Sequence, residues 1–383
     1  MKQIRSNHPV IVLVHSPEGG GAQRSSFLLA KGLVDIGINA ILGTVYSQGP
    51  YALEFKSGPS WIAFSEQKSK YFPRIYAALN TIWGIHRLQP RAIIVNSFPS
   101  AELMLLARTL RILRCKIIYV IRNDVRFELA DKFHRVFCQN IWRKFEQFLI
   151  HRADDVVAVS QGTAQTAVQE LALARNQVTV INNGLPEELL QAGQRPLPKL
   201  QNFASGSLKR PYILAVGRLE RQKNFSLLLA AFSRLAPSQR GTLIVAGEGS
   251  MRAQLEIEIQ HLGLQGNVVL PGFVHGMQDL MTSCDLLVSS SSWEAHPRVL
   301  LEAAAVGTQI LSTDCPSGPS EISDLFPSQV TLVPPEDVGA LSEGLGEFVR
   351  QYHLLGAQKW PKRIPSELTV RQMAENYARL LST

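Results

Sequence analysis

The chain has 383 residues, 45% of them hydrophobic and 18% charged. That composition excludes a disordered or fibrous protein and, at roughly 150 residues per domain, predicts two domains that need no disulfide or metal staple. The formal net charge of +8 is uneven: residues 1–200 hold 24 Lys/Arg against 14 Asp/Glu, and the rest 15 against 17, so an anionic partner is expected to meet the amino-terminal half.

Taken in chain order, apolar runs of strand length alternate with helix-like segments. Val10–Val14 leads into the glycine-rich stretch Glu18–Gly21 and a helical pattern with Phe27, Leu28, Ala30 and Leu33. Ala40–Val45, Ala92–Asn96, Lys116–Ile121, Val156–Ser160 and Val178–Ile181 are further predicted strands. Gln194–Pro211, rich in Pro, Ser and polar residues, interrupts the pattern and is expected to be a linker. The alternation then restarts with Tyr212–Val216, Thr242–Ala246, Val268–Leu270, Asp285–Ser289 and Gln309–Ser312. Buried strands separated by helices predict an α/β architecture of two successive parallel sheets, in which ligands collect beyond the carboxyl ends of the strands. The expected boundaries are residues 1–195, a linker over 196–210, a second domain over 211–365, and a helix over 366–383 packing back on the first domain.

Cys115, Cys138, Cys284 and Cys315 show no paired short spacing, which argues against a disulfide framework or zinc ribbon and fits a reducing compartment. No apolar run approaches the roughly 20 residues of a membrane span, and the first residues lack the apolar core of a secretory signal. The expectation is a cytoplasmic, non-spanning protein.

Three stretches carry chemistry. The Glu18–Gly21 turn follows a strand and opens a helix, where backbone N–H groups can meet a phosphate or sugar; it matches neither G-x-G-x-x-G nor the P-loop pattern. Gly217–Asn224 places Arg218 and Lys223 on one strand-to-helix loop, where a planar fork and a compact charge can converge on a diphosphate. Ser289–Gly307 then brings a serine run, Glu294, a helix-starting Pro297 and Glu302 in the helix behind it. Each stretch also has a plain structural reading: a tight turn, a solvated basic loop and ordinary helix carboxylates.

In combination they resemble a known family. Gly217-Arg218 with Lys223-Asn224, then Gly247-Glu248-Gly249, Gly272-Phe273, Glu294 and Glu302 with seven residues between them, and Thr313 through Ile322 occur in an order that resembles the retaining GT-B glycosyltransferases of family 4 (glycosyl transferases group 1), of the bacterial cell-surface polysaccharide type. The resemblance is strong over Tyr212–Ile322. It is weaker over the glycine loop and the Ala153–Ser160 and Val180–Asn183 segments.

The resemblance implies two Rossmann-like β/α/β domains facing each other across a cleft, and transfer of a sugar from a nucleotide diphosphate donor, of UDP type, with retention of anomeric configuration. It implies Arg218, Lys223 and Glu294 as the catalytic set. Arg218 and Lys223 would grip the diphosphate, Glu294 the donor sugar and Glu302 the ribose. Gly20, Gly21, Ala295, His296, Val299 and Leu300 would complete the donor contacts. No cofactor and no metal are expected, in keeping with the lack of any D-x-D sequence. The implied acceptor is a growing cell-surface glycan or a polyprenyl- or lipid-linked one. The alternatives are a GT-B epimerase of UDP-N-acetylhexosamine and a non-catalytic subunit of a glycan-assembly complex.

Two departures stand out. Glu294-Ala295-His296-Pro297 replaces the family's usual Glu-Gly-Phe-Pro, leaving His296 either a donor contact or a partly exposed loop residue. Arg122-Asn123-Asp124 stands where many relatives carry a histidine. Arg122 and Asn123 are acceptor-side candidates, with an Arg122–Asp124 ion pair as the alternative.

Residues 108–152 hold eleven Lys/Arg against four Asp/Glu. Phe133, Phe137, Ile141, Phe145 and Leu149 recur every fourth residue among them, an amphipathic basic helix. Packing of that stripe on the sheet is one expectation; peripheral docking on an anionic membrane at the inner face of the cell membrane is the other. No nucleic-acid-binding module is present, and nucleic acid is not an expected partner.

Overall fold

A computed structural model describes residues 8–17, 20–65, 73–96, 100–127, 136–191 and 208–382. The chain forms two compact units, Met1–Pro186 joined by Ser366–Thr383, and Glu187–Pro365. The linker expected at 196–210 falls almost entirely outside the described residues.

The first unit is built on a seven-stranded sheet: β1 Val10–Val14, β2 Ala40–Tyr46, β3 Trp61–Ser65, β4 Ala92–Asn96, β5 Lys116–Ile121, β6 Asp155–Ala158 and β7 Val178–Val180. Their spatial order is β3-β2-β1-β4-β5-β6-β7, and every pairing is parallel. Its helices are α1 Gly21–Asp35, α2 Ala52–Lys56, α3 Pro73–Leu88, α4 Ser100–Thr109, α5 Val136–Ile150 and α6 Gln161–Leu171. Alternate residues of the central strands, among them Ile11, Leu13, Ile93, Val95, Ile117 and Tyr119, form one core with Ile85 of α3, Met104 and Leu105 of α4, and Leu149 of α5. The intervening residues Val10, Val12, Ile94 and Ile118 are equally buried, which is why these strands read as continuous apolar runs.

The second unit has six parallel strands: β8 Tyr212–Val216, β9 Thr242–Ala246, β10 Val268–Gly272, β11 Leu286–Ser289, β12 Gln309–Thr313 and β13 Val330–Val333, in the order β10-β9-β8-β11-β12-β13. Its helices are α7 Phe225–Ser233, α8 Arg252–His261, α9 Met277–Ser283, α10 Arg298–Ala305, α11 Pro319–Leu325 and α12 Val338–Leu355. The last helix, α13 Val370–Ser382, belongs to the first unit. A Cβ on Gly32 of α1 would lie 2.7 Å from Val370, and one on Gly184 would lie 2.7 Å from the Val370 backbone. Glycine at both positions therefore permits the close approach.

Two strands escaped the sequence pattern, β3 and β13. Both are short edge strands with mixed burial, so neither presents the wholly apolar run of a central strand. The α5 stripe is also corrected. A four-residue repeat drifts about 40° per step around a helix, and the face turned to the core is Trp142, Glu146, Leu149 and Ile150. Ile141, Phe145 and Phe148 are exposed. Glu146 is buried because the Tyr119 hydroxyl donates to its carboxylate at 2.8 Å. Phe133 and the Phe137 side chain lie outside the described residues. Among the described residues no helix is long and apolar enough to cross a membrane.

Candidate functional site

In the second unit the strand order reverses between β8 and β11, and a parallel sheet opens a ligand crevice at the carboxyl ends of two such strands. The loops that leave β8 and β11 carry the sequence-predicted residues. Lys223 Nζ donates to Glu294 Oε1 in an ion pair whose side chains are 19% and 8% exposed. The Ser291 hydroxyl donates to the same oxygen at 2.7 Å.

The two loops are fastened to each other by backbone and amide bonds. Ser292 N donates to Gln222 O at 2.9 Å and Gln222 Nε2 to Trp293 O at 3.0 Å. Ser290 Oγ donates to Lys223 O at 2.9 Å. From the other side, Glu294 N donates to Pro316 O and Thr313 Oγ1 to Ser291 O. Glu294 is thus held by three loops, its carboxylate by Lys223 and Ser291 and its backbone N–H by Pro316. Asn224 has φ 45°, and its side chain caps α7 by accepting from Leu227 N, which ends the Arg221–Lys223 turn and fixes where Lys223 begins.

Glycines set how closely the loops approach. Gly247 has φ +146°, and a Cβ there would lie 1.8 Å from Gly217 O. A Cβ on Gly249 would lie 2.4 Å from Leu219 O. Arg218 sits on the exposed part of the same loop, 3.4 Å from Gln222 Oε1. Glu220 beside it accepts from Ser250 N and Oγ at 3.0 and 2.7 Å. Partial burial pushes its carboxyl up, but the two Ser250 bonds and the Arg218 charge outweigh that and hold it below the usual range.

Helix α10 begins at Arg298, with Pro297 as its amino-terminal cap. Arg298 and Glu302 then fall one turn apart, and Arg298 Nη2 donates to Glu302 Oε1 at 2.8 Å, both side chains largely buried. Arg298 was not singled out from the sequence; its i, i+4 spacing to Glu302 was the available signal. His296 is buried, which sets aside the partly exposed loop reading of the two it carried, and Ala295 is buried beside it. Val299 is half-buried, whereas the Leu300 side chain is core, so any contact of Leu300 with a ligand is through its backbone. Burial, and then the Glu294 carboxylate, raise the Cys315 thiol well above its usual range, so it is protonated and not a nucleophile. Among the described residues no three His, Cys, Asp or Glu side chains gather as a metal site.

In the first unit the order reverses between β1 and β4. Gly20 is extended at φ 177° and precedes α1; a Cβ there would displace only the flexible end of Gln23. The backbone itself therefore does not demand glycine at this position. Glu18 and Gly19 lie outside the described residues. Arg122 at the end of β5 donates from Nε to Asn96 Oδ1 and from Nη1 to Asn183 Oδ1, the latter at 2.8 Å. Asn96 in turn donates to Ser26 Oγ of α1 at 2.8 Å. Asp124 is engaged by Arg126, at 3.0 and 2.7 Å, so the ion pair weighed for Arg122 goes to a different arginine. Asn123 is half-buried. The buried hydroxyls of Ser16 and Ser100, which follow β1 and β4, have no hydrogen-bond partner among the described residues.

Residues 19–189 match the family model described as Glycosyltransferase Family 4, and residues 199–360 match Glycosyl transferases group 1. The chain is 30% identical over 174 residues to an N-acetylgalactosamine-N,N'-diacetylbacillosaminyl-diphospho-undecaprenol 4-alpha-N-acetylgalactosaminyltransferase of Campylobacter jejuni, covering 45% of each chain. It is 24% identical to the phosphatidylinositol N-acetylglucosaminyltransferase gpi3 subunit of Schizosaccharomyces pombe, over 88% of this chain and 71% of that one. The chain spans about half the length, or less, of the first curated relatives it matches. Among solved structures, Anabaena HepE in complex with UDP and glucose superposes with a TM-score of 0.78 at 19% identity, covering 98% of this chain and 100% of that one. The two Rossmann-like units have the GT-B fold. This chain therefore carries a family 4 glycosyltransferase domain followed by a group 1 glycosyltransferase domain.

Proposed function

We propose that the protein is a retaining, metal-independent glycosyltransferase that moves a sugar from a UDP-sugar to a growing cell-surface glycan or lipid-linked acceptor. The observation that carries the reading is the Lys223–Glu294–Ser291 cluster at the reversal point of the second sheet, with Arg218 on the same loop and the Arg298–Glu302 pair on the following helix. The HepE complexes with UDP and glucose support the donor class. The Campylobacter and fission-yeast relatives, one an undecaprenol diphosphate and the other a phosphatidylinositol enzyme, support an acceptor carried on lipid. The proposed place of action is the cytoplasmic side of the membrane.

The chemistry follows from the charges. As the bond between the anomeric carbon and the β-phosphate oxygen breaks, its electron pair goes to that oxygen. Arg218 and Lys223 neutralise the charge that develops there, acting as fixed cations that need no reorganisation. Glu294, already oriented by Ser291 and three loops, accepts from hydroxyls of the donor sugar. Glu302, steadied by Arg298, accepts from the ribose. The acceptor oxygen attacks on the face the leaving group vacates, and its proton passes to the departing phosphate. No side chain need act as nucleophile. In the first unit, the Gly20–Gly21 turn meets donor phosphates, and Arg122 with Asn123 lies on the acceptor side.

Nucleotide release from a panel of UDP-sugars, followed with purified protein, should identify a donor that is turned over. Glu302→Ala should weaken UDP itself, whereas Glu294→Ala should matter mainly when sugar is attached. Calorimetry showing no binding of UDP, GDP or ADP would overturn the reading in favour of a non-catalytic subunit.

A further inference from the structure

The first unit has a cleft at the amino-terminal ends of β4 and β5, the opposite ends of those strands from the reversal point. Its volume is about 1170 Å³, and the segments that follow α3 and α4 wall it. Arg91, Arg111, Arg114 and Lys116 line it together with two histidines, and no Asp or Glu does. Lys116 is paired to Asp155 at 2.8 Å. Among the described residues no ion pair ties Arg91, Arg111 or Arg114 to a carboxylate, and Arg91 Nε is buried with no hydrogen-bond partner. The Arg91 backbone is clamped on both sides: its N–H donates to Pro9 O at 3.0 Å, and its carbonyl accepts from Lys116 N at 3.2 Å.

Backbone conformation separates this cleft from an ordinary solvated basic surface. Helix α4 closes through Arg111 N to Arg108 O and Ile112 N to Ala107 O, both at 2.9 Å. That closure puts one residue in the left-handed region, where glycine is the usual occupant. Here it is Arg111, at φ 60°. Helix α3 closes on Gln89, at φ 48°, which lines the same cleft. Both helix ends therefore keep a long polar side chain where glycine is easier to accommodate. The carboxyl ends of the two helices offset about one unit of positive charge, so the three guanidinium groups leave about two units uncompensated.

We infer that this cleft binds a small soluble oligophosphate, inorganic or carried on a nucleoside, through the guanidinium groups of Arg91, Arg111 and Arg114. A short phosphate chain presents acceptor oxygens in several directions and meets planar forks from two separate loops, which a single carboxylate cannot do. Arg91 Nε gains the acceptor it lacks. The bound anion bridges the loop after α3 to the loop after α4, and so stabilises the fold by mass action. The inference does not rest on the donor assignment, because none of its cations belongs to the donor loop.

The test is calorimetric titration with inorganic tripolyphosphate, with ATP and phosphatidylglycerol vesicles as the other arms. The parent protein should bind both soluble anions, and tripolyphosphate should raise its thermal midpoint. Arg111→Gly supplies the residue that the left-handed cap favours, so this variant should unfold no earlier than the parent and yet bind tripolyphosphate about tenfold more weakly. Arg111→Gly/Arg114→Gln should lose about a hundredfold. Arg91→Lys keeps the charge but not the fork, and should lose about tenfold. Parental binding in Arg111→Gly/Arg114→Gln would overturn the cleft as the site, as would an equal loss in Arg350→Gln/Arg371→Gln, which removes two cations elsewhere. A loss in Arg218→Gln with none in the cleft variants would put the anion on the donor loop, overturning this site and leaving the donor reading intact. Binding of ATP without tripolyphosphate, or of vesicles without either soluble anion, would also overturn it.

Discussion

At the scale of single residues, the candidate site is a set of charges that need one another. Lys223 and Glu294 are a largely buried pair, and removing one partner strands the other. Lys223→Met should therefore cost about 3 kcal/mol in denaturant unfolding. Lys223→Met/Glu294→Leu should recover most of that stability, while turnover stays at least about a hundredfold down in both. Recovery of turnover in the double variant would show that the pair is only structural. Arg298→Met should lower UDP affinity about tenfold by freeing Glu302, at 1–2 kcal/mol for a lost charged hydrogen bond; calorimetry matching the parent would contradict that role. Glu220 titrates with a clear sign. Its carboxyl is held below the usual range, so its bonds stabilise the fold above the ordinary carboxylate pKa, and that stability is lost as pH falls through the folded value. Ser250→Ala removes one of the two bonds and should move the acid limb of the stability curve to higher pH.

The sequence made these charges legible to different degrees. Arg218, Lys223, Glu294 and Glu302 stood out because the family pattern spaces them along the chain. Ser291 and Arg298 did not, since their roles exist only once the loops fold onto Glu294 and α10 forms. Asn96 and Asn183 are separated from Arg122 by 26 and 61 positions, so no local pattern could have joined the three. His296 carried two readings in the sequence, and burial of its loop removes only the solvent-facing one.

At the scale of elements, the site depends on how tightly loops approach. Gly247→Ala places a Cβ on Gly217 O in a backbone region that L residues rarely enter, and should destabilise by about 3 kcal/mol. An unchanged midpoint in urea would mean the loop can give way. Central strands were legible because both faces are buried and the apolar run is unbroken. The edge strands β3 and β13 were not, since exposure on one side dilutes that run. In α5 the apolar spacing was right and its direction wrong: a strict four-residue repeat winds away from the core, and the buried face is finished by Glu146 through its bond to Tyr119.

At the scale of the whole molecule, the first unit is discontinuous in sequence. Helix α13 contributes buried Met373, Ala374 and Tyr377, and burial pushes the Tyr377 hydroxyl up to about 12, against the opposing charge of Arg122. A chain cut after Pro365 should lose the calorimetric transition of the first unit and keep that of Glu187–Pro365. Retention of both transitions would mean that α13 is an accessory. The charge excess belongs to residues 1–200, whereas Arg218 and Lys223 sit in the half with no excess at all.

The discontinuity also orders events during synthesis. Residues 187–365 form an unbroken unit that can close as soon as it emerges. The first unit, although made earlier, must wait for Val370 and Tyr377 before the α1 side of its sheet is covered. At about 5–20 residues per second, that wait lasts roughly ten seconds or more. For that interval the face of α1 around Gly32, which Val370 and Ala374 later cover, is a natural holding point for a chaperone.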